Sequence, residues 1–433
     1  KKLACDDILR LFRHRLRQDM NFVQLAIPFF ILALLIEFAY GFLVKRQTYR
    51  LGDTINSLQL GVLSRLVGIL RLGFSALVIS WLVGKLGVVS WSPDHWVQWV
   101  LSFIAYDFCY YWKHRFGHQW RIMWASHVAH HQSQDYNLST ALRQTSTDYV
   151  GFVFYLPLYL LGTPVEVIVS VGSLNLVYQF WVHTEHVRTL GVLDYLLVTP
   201  ANHRVHHAVN EGYLDKNYGG VFVIWDRLFG TFVMEEKDKP CVYGIRHPLN
   251  SYNPIWANFH VWWETFWLSV RVPRIRDKVL AWFRSPAWVP GKDSGRKELV
   301  SDFAKYSPSS SIFEKSYTFV QFWIFTGLAL ALQANHLAMP RDMVLTAFAW
   351  LIASVLVQSM WLEGRRYSHL LEWIRLSALS VFCFSAPLIW PANASRAISS
   401  ETIMVFQSIC IFSGLALVLN WLVTKTGVKL LKA

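Results

Sequence analysis

Apolar residues run almost unbroken through several stretches of this 433-residue chain that are long enough to cross a bilayer core of roughly 30 Å. The first covers Phe22 to Val44, the second Leu66 to Val88, and a third starts at Trp96 and continues into a histidine-rich segment. Shorter runs at 149–162 and 165–182, separated by Gly162-Thr163-Pro164, predict a helical hairpin that dips into or barely crosses the membrane and returns the chain to the side it left. Four more runs, at 317–334, 342–361, 369–390 and 402–423, close the chain. Between them, residues 253–288 alternate Trp256, Trp262, Trp263, Trp267 and Trp282 with Arg271, Arg274, Arg276 and Lys278, the composition of helices lying in the headgroup plane. Pro286, Pro290, Gly291, Gly295 and the serine-rich 307–311 mark 285–311 as a linker. The pattern predicts an all-α integral membrane protein, a multi-spanning helical bundle. It divides into N-terminal membrane helices at 1–95, a histidine-rich segment at 96–235, an interfacial segment and linker at 236–311, and C-terminal membrane helices at 312–433. Glu37 lies inside the first run, where a carboxylate has a functional role, pairs helices, or sits near the interface end.

Composition agrees with this reading. Hydrophobic residues are 54% of the chain and charged ones 16%, against roughly a quarter charged in a soluble domain. The net charge of +13, with 21 Trp and 18 Tyr, fits attraction to anionic lipid and aromatic anchoring at the headgroups. Because the basic residues are dispersed among apolar segments, nucleic-acid binding is the weaker account. Five cysteines far apart, Cys5, Cys109, Cys241, Cys383 and Cys410, do not make a disulfide framework.

Ten of the 16 histidines fall between His114 and His207. They come as His114 and His118, as His127, His130 and His131, as His183 and His186, and as His203, His206 and His207. Histidines three and four apart share a helix face, so each box can aim its rings at one point. Packing ten rings together without a cation costs desolvation and gains little, whereas neutral imidazole is a ligand for iron, zinc, copper and nickel. Eight to ten rings exceed the coordination number of one ion, so two metal ions are expected, with zinc not excluded by ligand type. The first, second and last boxes must then lie on one side of the membrane, and the hairpin at 149–182 accomplishes that. Asp107, Tyr110 or Tyr111, His114 and His118 recur at helical spacing, so one membrane helix is expected to emerge carrying its ligands, with Asp107 bonded to a ligating ring or a nearby donor. The other six histidines, His14, His95, His247, His260, His336 and His369, are isolated and read as structural.

The spacing of the first, second and last boxes, together with Trp225-Asp226-Arg227-Leu228-Phe229-Gly230-Thr231, resembles the fatty acid hydroxylase and sterol desaturase superfamily of integral-membrane di-iron oxygenases. Within it, Tyr136-Asn-Leu-Ser-Thr-Ala-Leu-Arg143-Gln144, Tyr178-Gln-Phe-Trp-Val-His183-Thr-Glu185 and Asp215-Lys-Asn217-Tyr218 are similar to the alkylglycerol monooxygenases, tetrahydrobiopterin-dependent enzymes that cleave ether lipids. The likeness extends over most of the chain. It implies that His114, His118, His127, His130, His131, His203, His206 and His207 hold two ferrous ions, with His183 as a further ligand. His186 stays open, since the family pattern does not require it and its spacing from His183 allows a shared face. Asp107, Glu185, Asn217 and Asp226 are expected around the ligands, and no catalytic side chain is expected beyond the metal centre. The resemblance further implies O2 and tetrahydrobiopterin as co-reactants, an alkylglycerol substrate, and an endoplasmic reticulum location with the site facing the cytosol. A long-chain lipid is expected to enter sideways from the bilayer past Trp256 and Trp263, its head at the interface near Asn217 and Tyr218.

Two other readings compete. A sterol desaturase or methyl oxidase shares the boxes and draws electrons from cytochrome b5. A metal transporter also uses intramembrane histidines, but it calls for ligands along a transport path or loose histidine tracts rather than helical boxes.

Overall fold

The computed structural model describes residues 22–86, 95–291, 304–389 and 400–426. The end of the second apolar run, past Leu86, and part of the 285–311 linker lie outside them. Among the described residues the chain is helical, and its β pairing is limited to two isolated antiparallel bridges, Leu197 with Phe222 and Ala208 with Tyr243. Four helices among the described residues are long and apolar enough to cross a membrane, over Phe22–Leu43, Ile312–Asn335, Arg341–Leu362 and Met404–Lys425, so this is a multi-pass membrane protein. The chain separates into two units, residues up to 249 with 257–305, and 250–256 with 306 onward.

The first unit opens with α1 (Phe22–Leu43), apolar all round, which buries Phe30, Glu37 and Gly41. Those three share one face, and Phe30 stacks on Phe180 with ring centroids 4.1 Å apart. Next comes α2 (Leu51–Leu86), which begins well before Leu66, where the apolar run predicted a helix start. The cause is a polar buried face: Asp53, Asn56, Ser57 and Gln59 are all inside beside Ile55, Leu60 and Leu63, so a hydropathy scan passes over this stretch. α3 (Trp96–Gln119) carries the first histidine box on its last turns and is followed by the short α4 (Arg121–Ala125), α5 (Val128–His131) and α6 (Leu138–Ala141).

The hairpin exists, with unequal legs. A 3-10 turn (Gly151–Tyr155) runs into α7 (Leu156–Leu160), and Gly162 turns the chain at φ +81° before α8 (Val165–Trp181), which is about 26 Å long. α7 and α8 pack on α3 through Cys109, Leu158 and Ile168, with Tyr106 stacked on Tyr155. α9 (Pro200–His207), α10 (Ile224–Leu228), α11 (Pro254–Arg271) and α12 (Ile275–Phe283) complete this part of the chain. α11 turns Ala257, Val261 and Thr265 inward and leaves Phe259, Trp263, Phe266, Trp267 and Val270 exposed. These residues form an exposed aromatic face next to the exposed Arg271 and Arg274. Trp256, on the first turn of α11, is exposed and groups with the second unit.

The second unit comprises α13 (Ile312–Asn335), α14 (Arg341–Leu362), α15 (Ser368–Ile389) and α16 (Ser400–Thr426), packed around Tyr317, Val357, Trp361, Leu376 and Leu417. Ser311 and Glu314 form a capping box at the start of α13. Ser251 and the Tyr252 backbone N–H both donate to Glu363, at 2.8 and 2.6 Å.

Candidate metal centre

Local sequence explains how each box is presented. His114 and His118 lie four apart on the end of α3, and His127 caps α5, which carries His130 and His131. α9 starts with Pro200 at its first position, with the Thr199 N–H donating to Asn202 Oδ1 at 3.0 Å, and all eight of its residues are buried. His183 follows the end of α8.

Nine of the ten histidines converge, and they form two groups. His114, His118, His127, His131 and His206 make the first, and His130, His183, His203 and His207 the second; within each group the ligand nitrogens lie within 4.8 Å of one another. Members four apart stay together, His127 with His131 and His203 with His207, while those three apart, His130 and His206, cross to the other group. The groups share a wall where His131 and His207 stack at 4.3 Å. His186 stands outside both, its ring edge-on to Tyr40 at 5.1 Å.

The protonation pattern tests whether a metal fits. His114 Nδ1 donates to the Tyr218 carbonyl at 2.8 Å, His130 to Arg143 at 2.9 Å, His183 to Gln179 at 2.8 Å and His206 to Lys216 at 3.0 Å. Burial pushes all nine imidazoles below their ordinary range, His130 to about 4 and His206 to about 3, so the rings are neutral and each carries one proton. With that proton on Nδ1, each of these four rings turns a bare Nε2 lone pair inward. His130 and His183 thus face each other, lone pair to lone pair, at 3.4 Å, and His118 and His206 have buried Nε2 atoms without a protein partner. Such an array is repulsive alone and attractive around a cation, so the residues fit a pair of metal ions held by nitrogen.

A scaffold of buried polar groups holds the carbonyls in place. Asp226 accepts from the backbone N–H of Tyr218 at 2.7 Å and of Gly219 at 2.8 Å and from the Thr231 hydroxyl at 2.7 Å, which fixes the strand of chain whose carbonyl supports His114. Burial raises its pKa to about 6 against the pull of those three donors. Asp107 bonds to no imidazole. It accepts from Asn175 at 2.7 Å, from the Val221 and Phe222 N–H groups and from the Trp225 indole at 3.0 Å, so it ties α3 to the same loop. Only glycine fits at 220, because a Cβ there would lie 2.6 Å from Asp107 Oδ1. Glu185 pairs with Arg46 at 2.8 Å and touches no ligand.

Asn217 and Tyr218 are both buried inside the protein. Asn217 is 1% exposed and sits at φ +55°; its amide donates to the Asn202 and Val233 carbonyls and accepts from the Val233 N–H, which pins the loop before Tyr218. Tyr218 is fully buried with its ring against His118 at 5.3 Å, and its hydroxyl has no protein partner. Trp263 packs edge-on to Trp267 at 5.5 Å and beside Phe266. Trp124 lies 5.2 Å from His118 and 5.7 Å from His131, and Trp262 packs with it against Val128, Ile245 and Val261.

Sequence reasoning gave no role to three other groups at this site. Arg143 donates to the Ala129 carbonyl at 2.6 Å and to Gln132 and Ser57, bracing α5. Arg204 donates to the Thr184 and Val187 carbonyls at 2.9 and 2.6 Å and forks onto Glu235. Tyr136 donates to the Val182 carbonyl at 3.0 Å and stacks on His183. A cationic residue inside a histidine box is the signal that could have found Arg204; Arg143 stands apart from every box, and nothing in the spacing marked it. Glu37, noticed for its depth, accepts from the hydroxyls of Tyr49 and Thr184 and from the Leu138 N–H at 2.8 Å, which brings α1 against the residue next to His183.

Comparison with known proteins gives the same picture. The fatty acid hydroxylase family model matches residues 99–231, the stretch that holds all nine converging histidines. The alkylglycerol monooxygenase of Homo sapiens is 36% identical over 411 residues, covering 92% of this chain and 89% of that protein. That of Xenopus tropicalis is 34% identical over 366 residues, covering 82% and 80%. Lathosterol oxidase of Mus musculus is 28% identical over 149 residues, only 32% of this chain. No solved structure matches. With both the metal-binding segment and its flanking membrane helices aligned, the chain belongs to the alkylglycerol monooxygenase family.

Proposed function

We propose that this chain is a membrane di-iron monooxygenase that hydroxylates the carbon next to the ether bond of an alkylglycerol, using O2 and tetrahydrobiopterin and working in the endoplasmic reticulum with its site toward the cytosol. The observation that carries the reading is the double group of neutral imidazoles with bare nitrogens turned inward, on a chain that aligns with alkylglycerol monooxygenases along most of its length. Bound there, two iron ions would supply electrons and an open coordination position for O2 cleavage. The chain's own groups do the rest. Backbone carbonyls hold four rings in one tautomer, and the Trp124 and Trp262 wall closes the first group's flank against water. Tyr218 keeps a buried hydroxyl free to hydrogen-bond a substrate oxygen beside that group. Once hydroxylated next to the ether oxygen, the substrate is a hemiacetal, which collapses to a fatty aldehyde and a glycerol derivative.

Substrate enters from the bilayer. Drawing a long alkyl chain through water would cost on the order of 10 kcal/mol at about 0.8 kcal/mol per methylene, and the exposed aromatic face of α11 around Trp263 offers a lipid-side approach. The test is purified protein with an alkylglycerol, O2 and tetrahydrobiopterin, followed for fatty aldehyde. Aldehyde formation with cytochrome b5 and its reductase in place of the pterin would move the chain to the sterol branch.

A further inference from the structure

The hairpin of α11 and α12 turns one face outward and ties the other to the metal-bearing part of the chain. Its helices run antiparallel: Trp262 packs on Trp282 with ring centroids 6.0 Å apart, and the Ser269 and Lys278 side chains each donate to the other's carbonyl at 3.0 Å. The Arg121 N–H donates to the Arg284 carbonyl at 2.9 Å, and its guanidinium donates to the Pro286 and Trp288 carbonyls at 2.6 Å, so the end of α12 is pinned to α4. Outward, Phe259, Trp263, Phe266 and Val270 make a stripe along α11, and Ile275, Val279 and Phe283 make one along α12, each residue at least 45% exposed. A spanning helix is apolar all round, as α1 is, whereas the inner side of α11 carries Asn258, His260 and Thr265, and α12, with nine residues, is only about 14 Å long. One-faced helices of this kind lie along a bilayer surface rather than across it.

The charges on the hairpin are of one sign where they are exposed and free to act. Arg271, Arg274, Arg276 and Arg284 are all exposed, and among the described residues none of the four pairs with a carboxylate. Arg271 lies over the Trp267 ring at 5.7 Å, which sets a cation and an aromatic at one level, as at a headgroup layer. Lys278 does not count with them, because its ammonium is spent on the Ser269 and Val270 carbonyls at the end of α11. Of the two acids, Glu264 stands near the buried Arg121, and Asp277 is half-buried.

We propose that this hairpin is a docking surface for anionic lipid, its two stripes sunk to the acyl boundary and the guanidiniums of Arg271, Arg274, Arg276 and Arg284 on negatively charged heads. The stripes alone would accept any lipid; the arginines make the choice. Each cation close to an anionic surface shifts partitioning by about fivefold, so four select anionic heads from a neutral background. Docked in this way, the hairpin sets Trp262, part of the wall beside the first histidine group, toward the leaflet that supplies a lipid substrate. That last consequence rests on the function proposed above; the docking surface does not.

The experiment uses the full chain in phosphatidylcholine nanodiscs containing about one-fifth phosphatidylserine, with the photo-cross-linker p-benzoylphenylalanine in place of Phe266 and the adducts identified by mass spectrometry. The same probe in place of the exposed Phe412, midway along α16, reports the bulk bilayer. The phosphatidylserine share of the adducts is expected to be about threefold or more higher at 266 than at 412. Arg274→Gln combined with Arg276→Gln should bring the two shares together with metal content unchanged, and so should about 1 M NaCl acting on the unaltered arginines, where the screening length falls to about 3 Å. Equal shares at the two positions from the start would mean ordinary bilayer lipid at the hairpin, and adducts to protein would mean that another chain covers it; either result overturns the proposal. Labelling needs no turnover, so a chain that failed the aldehyde test would still pass or fail this one.

Discussion

A neutral imidazole has one proton and one lone pair, and at His114, His130, His183 and His206 a backbone carbonyl takes the proton. The remaining Nε2 lone pair is turned toward the other rings, where a cation can bind it. Replacing any of the nine converging histidines by Ala should therefore lower bound metal, measured by plasma mass spectrometry, and abolish turnover. His186→Ala should keep both ions, because its ring rests on Tyr40; a loss of metal equal to that of His183→Ala would place it among the ligands after all. Support one step back should matter less. In Asp226→Asn, an amide oxygen kept at the Tyr218 and Thr231 bonds turns its NH2 against the Gly219 N–H. The expected cost is about 1–3 kcal/mol of stability and a tenfold to hundredfold weaker metal affinity in the first group. Unchanged affinity in a metal titration would show that the loop does not depend on that carboxylate.

At the scale of elements, α1 is more than an anchor. Its stacked Phe30, its Glu37 bonds to Thr184 and Leu138, and Tyr40 against His186 all bear on the two segments, 138–141 and 180–186, that flank His183. Glu37→Ala leaves three donors unmatched and should empty the second group while the first still loads, giving about half the metal per chain. Thr184→Val should do the same more mildly. The double variant should fall short of the sum by about 0.5–3 kcal/mol, and strict additivity would show that the two side chains act independently. Such bonds also explain what the sequence reveals and what it conceals. The spans at α1, α13, α14 and α16 are legible because lipid demands apolar faces, whereas the first half of α2 hides because its buried face is Asp53, Asn56, Ser57 and Gln59. Box spacing showed which rings share a helix face. It did not show that His130 and His206 change partners, because that depends on how α5 and α9 meet in space.

For the molecule as a whole, the first unit's stability should follow its metal. Its short helices α4, α5, α6 and α9 hold few turns each, and four of the rings they and their neighbours carry face inward on bare nitrogens. With free metal at about a hundred times its dissociation constant, linkage adds about 2.7 kcal/mol per ion. Chelation should accordingly lower the melting temperature and open 121–207 to protease while 312–362 stays protected; a digestion pattern indifferent to chelator would contradict this. The carbonyl supports carry a further consequence, for inheritance. A lineage that changes the side chain at Lys216 still keeps the oxygen that holds the His206 ring, since every amino acid supplies one. A tally of invariant positions will therefore undercount the machinery, and an insertion or deletion that shifts that peptide group will do more harm than a substitution at it.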